Sequence, residues 1–210
     1  MIDDAKLNGV VVILDDESSI VSVLKEYLTL KGYTCIAFEA ADQFLSWLQA
    51  DPTILLNPIC VLCDVSMPGL TGLQLQQRLA CHPEIAMVMM SGAATNQDVV
   101  DAFRAGAVDF LLKPLNDTLL FEVLDRSLQT SAEVRKRKLY TARYRELTDT
   151  LTERELATLR RVAQGRLNRE IASEFGIALR TVKLYRQRGF EKLGIELNVD
   201  LIRLHSEGLL

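Results

Sequence analysis

Residues 58–69 read Pro58-Ile-Cys-Val-Leu-Cys-Asp-Val-Ser-Met-Pro-Gly69, five apolar residues in a row that run into an acid and then into a Pro-Gly turn. A short run that is apolar on both alternating faces is a strand of a parallel sheet, because such sheets are covered by helices on both sides. In open sheets of that kind ligands collect outside the carboxyl ends of the strands, so Asp64 is expected where a site would lie.

Working outward from this strand, comparable short runs occur at 10–15, 34–38, 86–91 and 109–113. Between and after them lie amphipathic stretches at 18–31, 40–50, 72–81, 96–105 and 116–128. The alternation predicts strand-helix units around a five-stranded parallel sheet. After residue 128 no further strand follows. The stretch 129–147 has neither Gly nor Pro and reads as a helical linker, and 148–210 reads as a small all-α domain punctuated at Gly165, Gly176 and Gly194. The expected domains are therefore 1–128, the linker 129–147, and 148–210.

The formal net charge of -4 conceals an asymmetry. Residues 1–130 hold 7 Lys and Arg against 17 Asp and Glu, giving -10, while 131–210 hold 17 against 11, giving +6. A basic region at one end only points to a polyanionic partner there. Hydrophobic residues make up 49% of the chain and charged residues 25%, the range of ordinary globular proteins. No apolar run reaches the roughly 18 residues that span a bilayer, and residues 1–9 carry no secretory pattern, so a cytoplasmic protein without membrane contact is expected.

The strand ends test for chemistry. The first ends at Asp15-Asp16-Glu17, the third at Asp64, the fourth at Ser91 and the fifth at Lys113-Pro114. Singly, each is an ordinary turn or helix cap. Together they bring carboxylates, a hydroxyl and an ammonium to one sheet edge. Acids gathered so closely repel unless a hard cation such as Mg²⁺ takes oxygen ligands from them, and Mg²⁺ pairs readily with phosphate. One acid is thus expected to accept a phosphoryl group, with Lys113 balancing its charge and Ser91 donating a hydrogen bond.

On these residues, residues 6–130 resemble the receiver domain of two-component response regulators. The matching segments are Val11-Val-Ile-Leu-Asp-Asp-Glu17, Cys63-Asp-Val-Ser-Met-Pro-Gly69, Met89-Met-Ser-Gly92 and Gly106-Ala-Val-Asp-Phe-Leu-Leu-Lys-Pro114. The resemblance implies a flavodoxin-like sheet of order 2-1-3-4-5. It implies Asp64 as phosphoacceptor, with Asp16 and Asp64 as direct Mg²⁺ ligands, Asp15 acting through water, and the Ser66 backbone carbonyl completing the set. It also implies Ser91 and Phe110 as a switch pair, a cis Lys113-Pro114 peptide, and a sensor histidine kinase as phosphodonor. Self-phosphorylation and self-dephosphorylation at Asp64 are the only chemistry implied; the chain is not otherwise an enzyme. Ser66 and Ala93, at two positions that vary among receivers, are both small.

In the tail, Thr152-x-x-Glu155 is a capping box opening a helix. A second helix at 168–175 and a third at 179–193, joined through Gly176-Ile177, make a helix-turn-helix pattern. On the third, Val182, Phe190 and Leu193 share one side, while Lys183, Leu184 and Gln187 face the other with Arg180, Arg186, Arg188 and Lys192 nearby. Such a face suits base edges flanked by phosphates. Residues 148–210 resemble the LuxR-type domain of NarL/FixJ regulators through Leu151-Thr-x-Arg154-Glu155, Asn168-x-Glu170-Ile171-Ala172 and Thr181-Val-Lys-x-Tyr-Arg186 with Lys192-Leu-Gly194. That resemblance implies double-stranded DNA as partner, a DNA-facing set that includes Thr181, and a homodimer when phosphorylated. Ala178, Tyr185 and Gly189 depart from the family pattern, and a helical Gly189 is expected to soften the third helix.

Two other readings compete. A metal-dependent phosphotransferase or phosphatase lacks a second acid two residues after Asp64, and neither His82 nor His205 ends a strand. A redox-sensing DNA binder would use Cys60 and Cys63, but residues three apart on a strand point to opposite faces.

Overall fold

The computed structural model describes residues 9–210; the reading that residues 1–9 carry no secretory pattern lies, but for Gly9, outside the described residues. The chain divides into two compact units, one ending at Lys136 and the other comprising Arg137–Leu210.

In the first unit five parallel strands, β1 (Val10–Leu14), β2 (Thr34–Phe38), β3 (Ile59–Asp64), β4 (Ile85–Ser91) and β5 (Asp109–Leu112), lie in the order β2-β1-β3-β4-β5. Every residue of β1, β3 and β4 is buried. The two-residue period assigns their side chains alternately to two cores. Val10, Val12, Leu14, Val61, Cys63, Met87 and Met89 face one core. It is covered by α2 (Ala41–Ala50), α3 (Gly72–Arg78) and α4 (Asn96–Arg104), with Phe44, Leu75 and Ala102. Val11, Ile13, Cys60, Leu62, Val88 and Met90 face the other. There α1 (Ser18–Leu30) contributes Leu28, and α5 (Asp117–Asp149) contributes Leu120, Val123, Leu124 and Leu128.

One helix is shorter than the sequence suggests. The expected helix over 72–81 stops at Arg78 and tightens into a 3-10 turn at Leu79–Cys81, delivering the chain to β4. The helix expected over 116–128 and the helical linker expected over 129–147 form one helix, α5, which runs unbroken to Asp149 as the absence of Gly and Pro allows.

The second unit takes in the last turns of α5 and then α6 (Glu153–Ala163), α7 (Asn168–Phe175), α8 (Leu179–Leu193) and α9 (Asn198–Ser206). Leu159, Ile171, Val182, Leu193, Leu201 and Leu204 form its core, against which Tyr140, Tyr144 and Leu147 pack. Gly176 ends α7 at φ 63, a left-handed cap that lets α8 turn away. Gly189 is buried, and a Cβ there would stand 2.7 Å from Leu159 Cδ1. The softening expected of Gly189 is thus set against a close approach of α8 to α6, where an added Cβ would have to displace the Leu159 side chain. Among the described residues no helix is long and apolar enough to cross a membrane.

Candidate functional site

The strand ends do converge. Asp15 follows β1 and is fully buried, and Asp64 closes β3 at 5% exposure. Lys113, just after β5, places its Nζ 2.6 Å from Asp15 Oδ2 and 2.6 Å from Asp64 Oδ1. The second oxygen of each carboxylate is fixed by backbone: Glu17 N–H donates to Asp15 Oδ1 (3.0 Å) and Ser66 N–H to Asp64 Oδ2 (2.6 Å). Burial works to lower the Lys113 pKa, but the hydrogen bonds and charges of Asp15 and Asp64 outweigh it and hold the ammonium protonated above its ordinary value.

The three-acid cluster read from the sequence is, in the structure, a buried pair bridged by an ammonium. Asp16 is exposed beside them, and among the described residues no three His, Cys, Asp or Glu side chains gather closely enough to hold a metal on their own. Asp16 lies one residue past Asp15 as the chain leaves the sheet, which turns it toward solvent. The donor set nevertheless fits a hard divalent ion: three carboxylates against one ammonium leave two formal negative charges at the rim, all on oxygen.

Ser91, buried at the end of β4, accepts Ala93 N–H on its Oγ at 3.2 Å, and its carbonyl accepts Lys113 N–H at 2.8 Å. Phe110 on β5 is half-buried against the core containing Ala102 and Met89. The Lys113-Pro114 peptide is cis. Ser66 is exposed at the mouth, and Ala93 is exposed in the loop after β4.

Gly72 was not foreseen. It opens α3, and its N–H donates to Val65 O at 3.1 Å. A Cβ there would lie 2.5 Å from Asp64 O and 3.2 Å from Cys63 Sγ. The first turn of α3 therefore rests on the Asp64 peptide itself. Nothing in the local sequence distinguishes this glycine from a turn residue.

Cys60 and Cys63 are both fully buried and belong to opposite cores of the sheet. Burial pushes the Cys60 thiol up to about 12 and that of Cys63 up as well. Neither is placed to pair with the other or to react, which removes the geometric ground for a redox clip.

In the second unit the capping box is present, with Glu155 N–H donating to Thr152 Oγ1 (3.3 Å) and Thr152 N–H to Glu155 Oε2 (3.0 Å). On α8, Arg180, Lys183, Leu184, Gln187 and Arg188 are exposed and Thr181 is half-buried. Ala178 starts the helix without a side-chain cap. Two cations of the expected DNA-facing set are engaged elsewhere. Lys192 Nζ lies 2.6 Å from Glu155 Oε2 and 3.0 Å from Thr150 O. The Arg186 guanidinium donates to Asn198 Oδ1 at 2.9 Å and lies 5.4 Å from the Phe190 ring centroid. The sequence reading placed both by proximity on the helix, which does not show where a long side chain is anchored.

Comparison with known proteins gives two family profiles. The profile described as "Response regulator receiver domain" matches residues 11–125, and that described as "Bacterial regulatory proteins, luxR family" matches residues 149–205. Nodulation protein W of Bradyrhizobium diazoefficiens is 31% identical over 202 residues, covering 96% of this chain and 87% of that protein. The tetrathionate response regulatory protein TtrR of Salmonella typhimurium is 35% identical over 91% of this chain and 89% of its own. Among solved structures, the response regulator StyR superposes with a TM-score of 0.81 at 30% identity, over 95% of this chain and 99% of the other.

Proposed function

The chain belongs to the two-component response regulators of the NarL/FixJ type, a receiver domain followed by a LuxR-type DNA-binding domain, and on that footing we infer that Asp64 receives the phosphoryl group. The observation that carries this reading is the Lys113 bridge between Asp15 and Asp64. It sets Asp64, oriented by the Ser66 amide, next to a cation able to meet the incoming negative charge.

The donor is a phosphohistidine of a sensor kinase. An Asp64 oxygen forms a bond to phosphorus, the P–N bond to the donor imidazole breaks, and the imidazole leaves with that electron pair. Lys113 exchanges part of its contact with Asp64 for a phosphoryl oxygen, and the Ser91 hydroxyl, now an acceptor for Ala93, turns to donate to another. Asp16 and Asp64, Asp15 through water, and the Ser66 carbonyl would hold Mg²⁺, which neutralises charge on the transferred group when bound. Loss of the group to water is the only further chemistry, so the receiver acts on itself alone. The expected domain limits, receiver to residue 128, linker 129–147 and DNA-binding domain 148–210, belong to this proposal.

The output is DNA binding in the cytoplasm through α8. Lys183, Leu184 and Gln187 face base edges, with Thr181, Arg180 and Arg188 toward phosphates. Arg186 and Lys192 belong to the same DNA-facing set and also brace the domain through Asn198 and Glu155. Phosphorylation favours a homodimer, because paired half-sites need paired recognition helices. Sedimentation with and without acetyl phosphate and Mg²⁺, followed by footprinting, tests this: the account expects a heavier species and stronger protection together, and a phosphorylated monomer with unchanged protection contradicts it.

A further inference from the structure

α4 is the least anchored helix of the first unit. Of its nine residues only Ala102 is buried, against two in α1, three each in α2 and α3 and six in α5. A buried methyl contributes little area, so its seat depends on something else. One side chain adds a directional tie: Gln76 of α3, 5% exposed, donates from Nε2 to the Ala102 carbonyl at 3.2 Å. The same carbonyl accepts Ala107 N–H at 2.9 Å, so Gln76 grips the C-terminal end of α4 at its terminating turn.

The grip is incomplete. Gln76 Oε1 is buried without a hydrogen-bond partner. An orphaned acceptor offsets much of what the donated bond contributes, leaving the seated arrangement weakly favoured.

The other end of α4 is tied to the phosphorylation site. Thr95 is welded to the helix by a capping box with Asp98, its N–H donating to Asp98 Oδ2 at 2.8 Å and its Oγ1 accepting Asp98 N–H at 3.2 Å. Only residues 92–94 separate that cap from Ser91, whose hydroxyl holds the Ala93 amide. When the Ser91 hydroxyl turns to a phosphoryl oxygen it releases the Ala93 amide, and the short connection 92–94 links that loss to the N-terminal end of α4.

We propose that the buried Gln76 amide, bonded to the Ala102 carbonyl, is a latch that holds α4 in its unphosphorylated seat and opposes the switch. It is a positioning residue acting on Ser91 through α4, and this role rests on the reading of Asp64 as phosphoacceptor. By reciprocity, whatever the latch costs the switched state must return as tighter phosphoryl binding when the latch is removed.

The test uses the full chain and two apolar variants of similar volume, Gln76→Leu and Gln76→Met. Hydrogen exchange is measured on the amides of α4, and affinity is measured for beryllofluoride with Mg²⁺ as a phosphoryl mimic. Both variants are expected to speed α4 exchange about twofold, what is left of one net hydrogen bond once the orphaned acceptor is offset, with α3 and β4 unchanged, and to bind beryllofluoride more tightly by a similar factor. Merely structural damage loosens all elements and weakens binding, and that result, or unchanged α4 exchange, overturns the latch. Should the unsubstituted chain fail to bind beryllofluoride, the Asp64 reading fails, and the exchange comparison alone decides the latch.

Discussion

Lys113 Nζ and Asp64 Oδ1 meet at 2.6 Å across the rim of the sheet, joining the ends of β5 and β3, with β4 between them. Because Asp15 and Asp64 are both buried, this ammonium is their shared counter-charge. Lys113→Met is therefore expected to destabilise the first unit by about 3 kcal/mol at neutral pH, the cost of leaving buried charge unpaired. Urea unfolding at neutral pH checks it, and an unchanged midpoint would contradict it.

Gly72 sets how closely α3 approaches the phosphoacceptor. A Cβ 2.5 Å from the Asp64 carbonyl forces helix or strand end to move, and displacement at a reacting group is costly to transfer. Gly72→Ala should lose about 1–3 kcal/mol of stability and slow phosphorylation by acetyl phosphate at least tenfold. Stopped-flow rates measured well below the unfolding midpoint separate the two effects; an unchanged rate would remove the positioning role.

Glu155 gives the second unit an acid-sensitive element. Burial acts to raise its pKa, but the bond to Lys192 and those to the Thr152 amide and hydroxyl overcome it, so the folded value lies below the unfolded one. A depressed carboxylate stabilises fully above its unfolded pKa and loses that stability as pH falls through the folded value. Glu155→Gln should accordingly cost about 1 kcal/mol at pH 7 and nothing in strong acid, read from thermal melts across pH.

The exposed arc of α8 divides by role. Arg188→Ala should weaken binding to all duplexes alike and lower the salt slope by about 1, as for one phosphate contact. Gln187→Ala should change which duplexes are preferred while leaving the slope intact. Lys192→Ala should act mainly on stability, through Glu155. Titrations over a range of salt with a selected and a random duplex distinguish the three.

How much of this was legible depends on the range over which each feature is decided. The strands at 59–64 and 10–15 declare themselves because burial on both faces leaves a continuous apolar run, and Asp15, Asp64, Ser91 and Lys113 follow from where such runs stop. The capping box at Thr152 and Glu155 is likewise a local pattern. What escaped is set by contacts between elements: Gly72 under Asp64, Gly189 against Leu159, Lys192 turned to Glu155, Gln76 reaching Ala102. Each of these residue types is common at exposed positions, and its partner lies 8 to 37 residues away.

The most direct test is mass mapping of the full chain after acetyl phosphate with Mg²⁺, alongside Asp64→Asn. The account predicts one phosphoryl group, on Asp64, in the natural sequence and none in the variant, with the variant's fold intact by circular dichroism. Phosphorylation of the variant to the same extent, or a modified residue elsewhere in the natural chain, would contradict it.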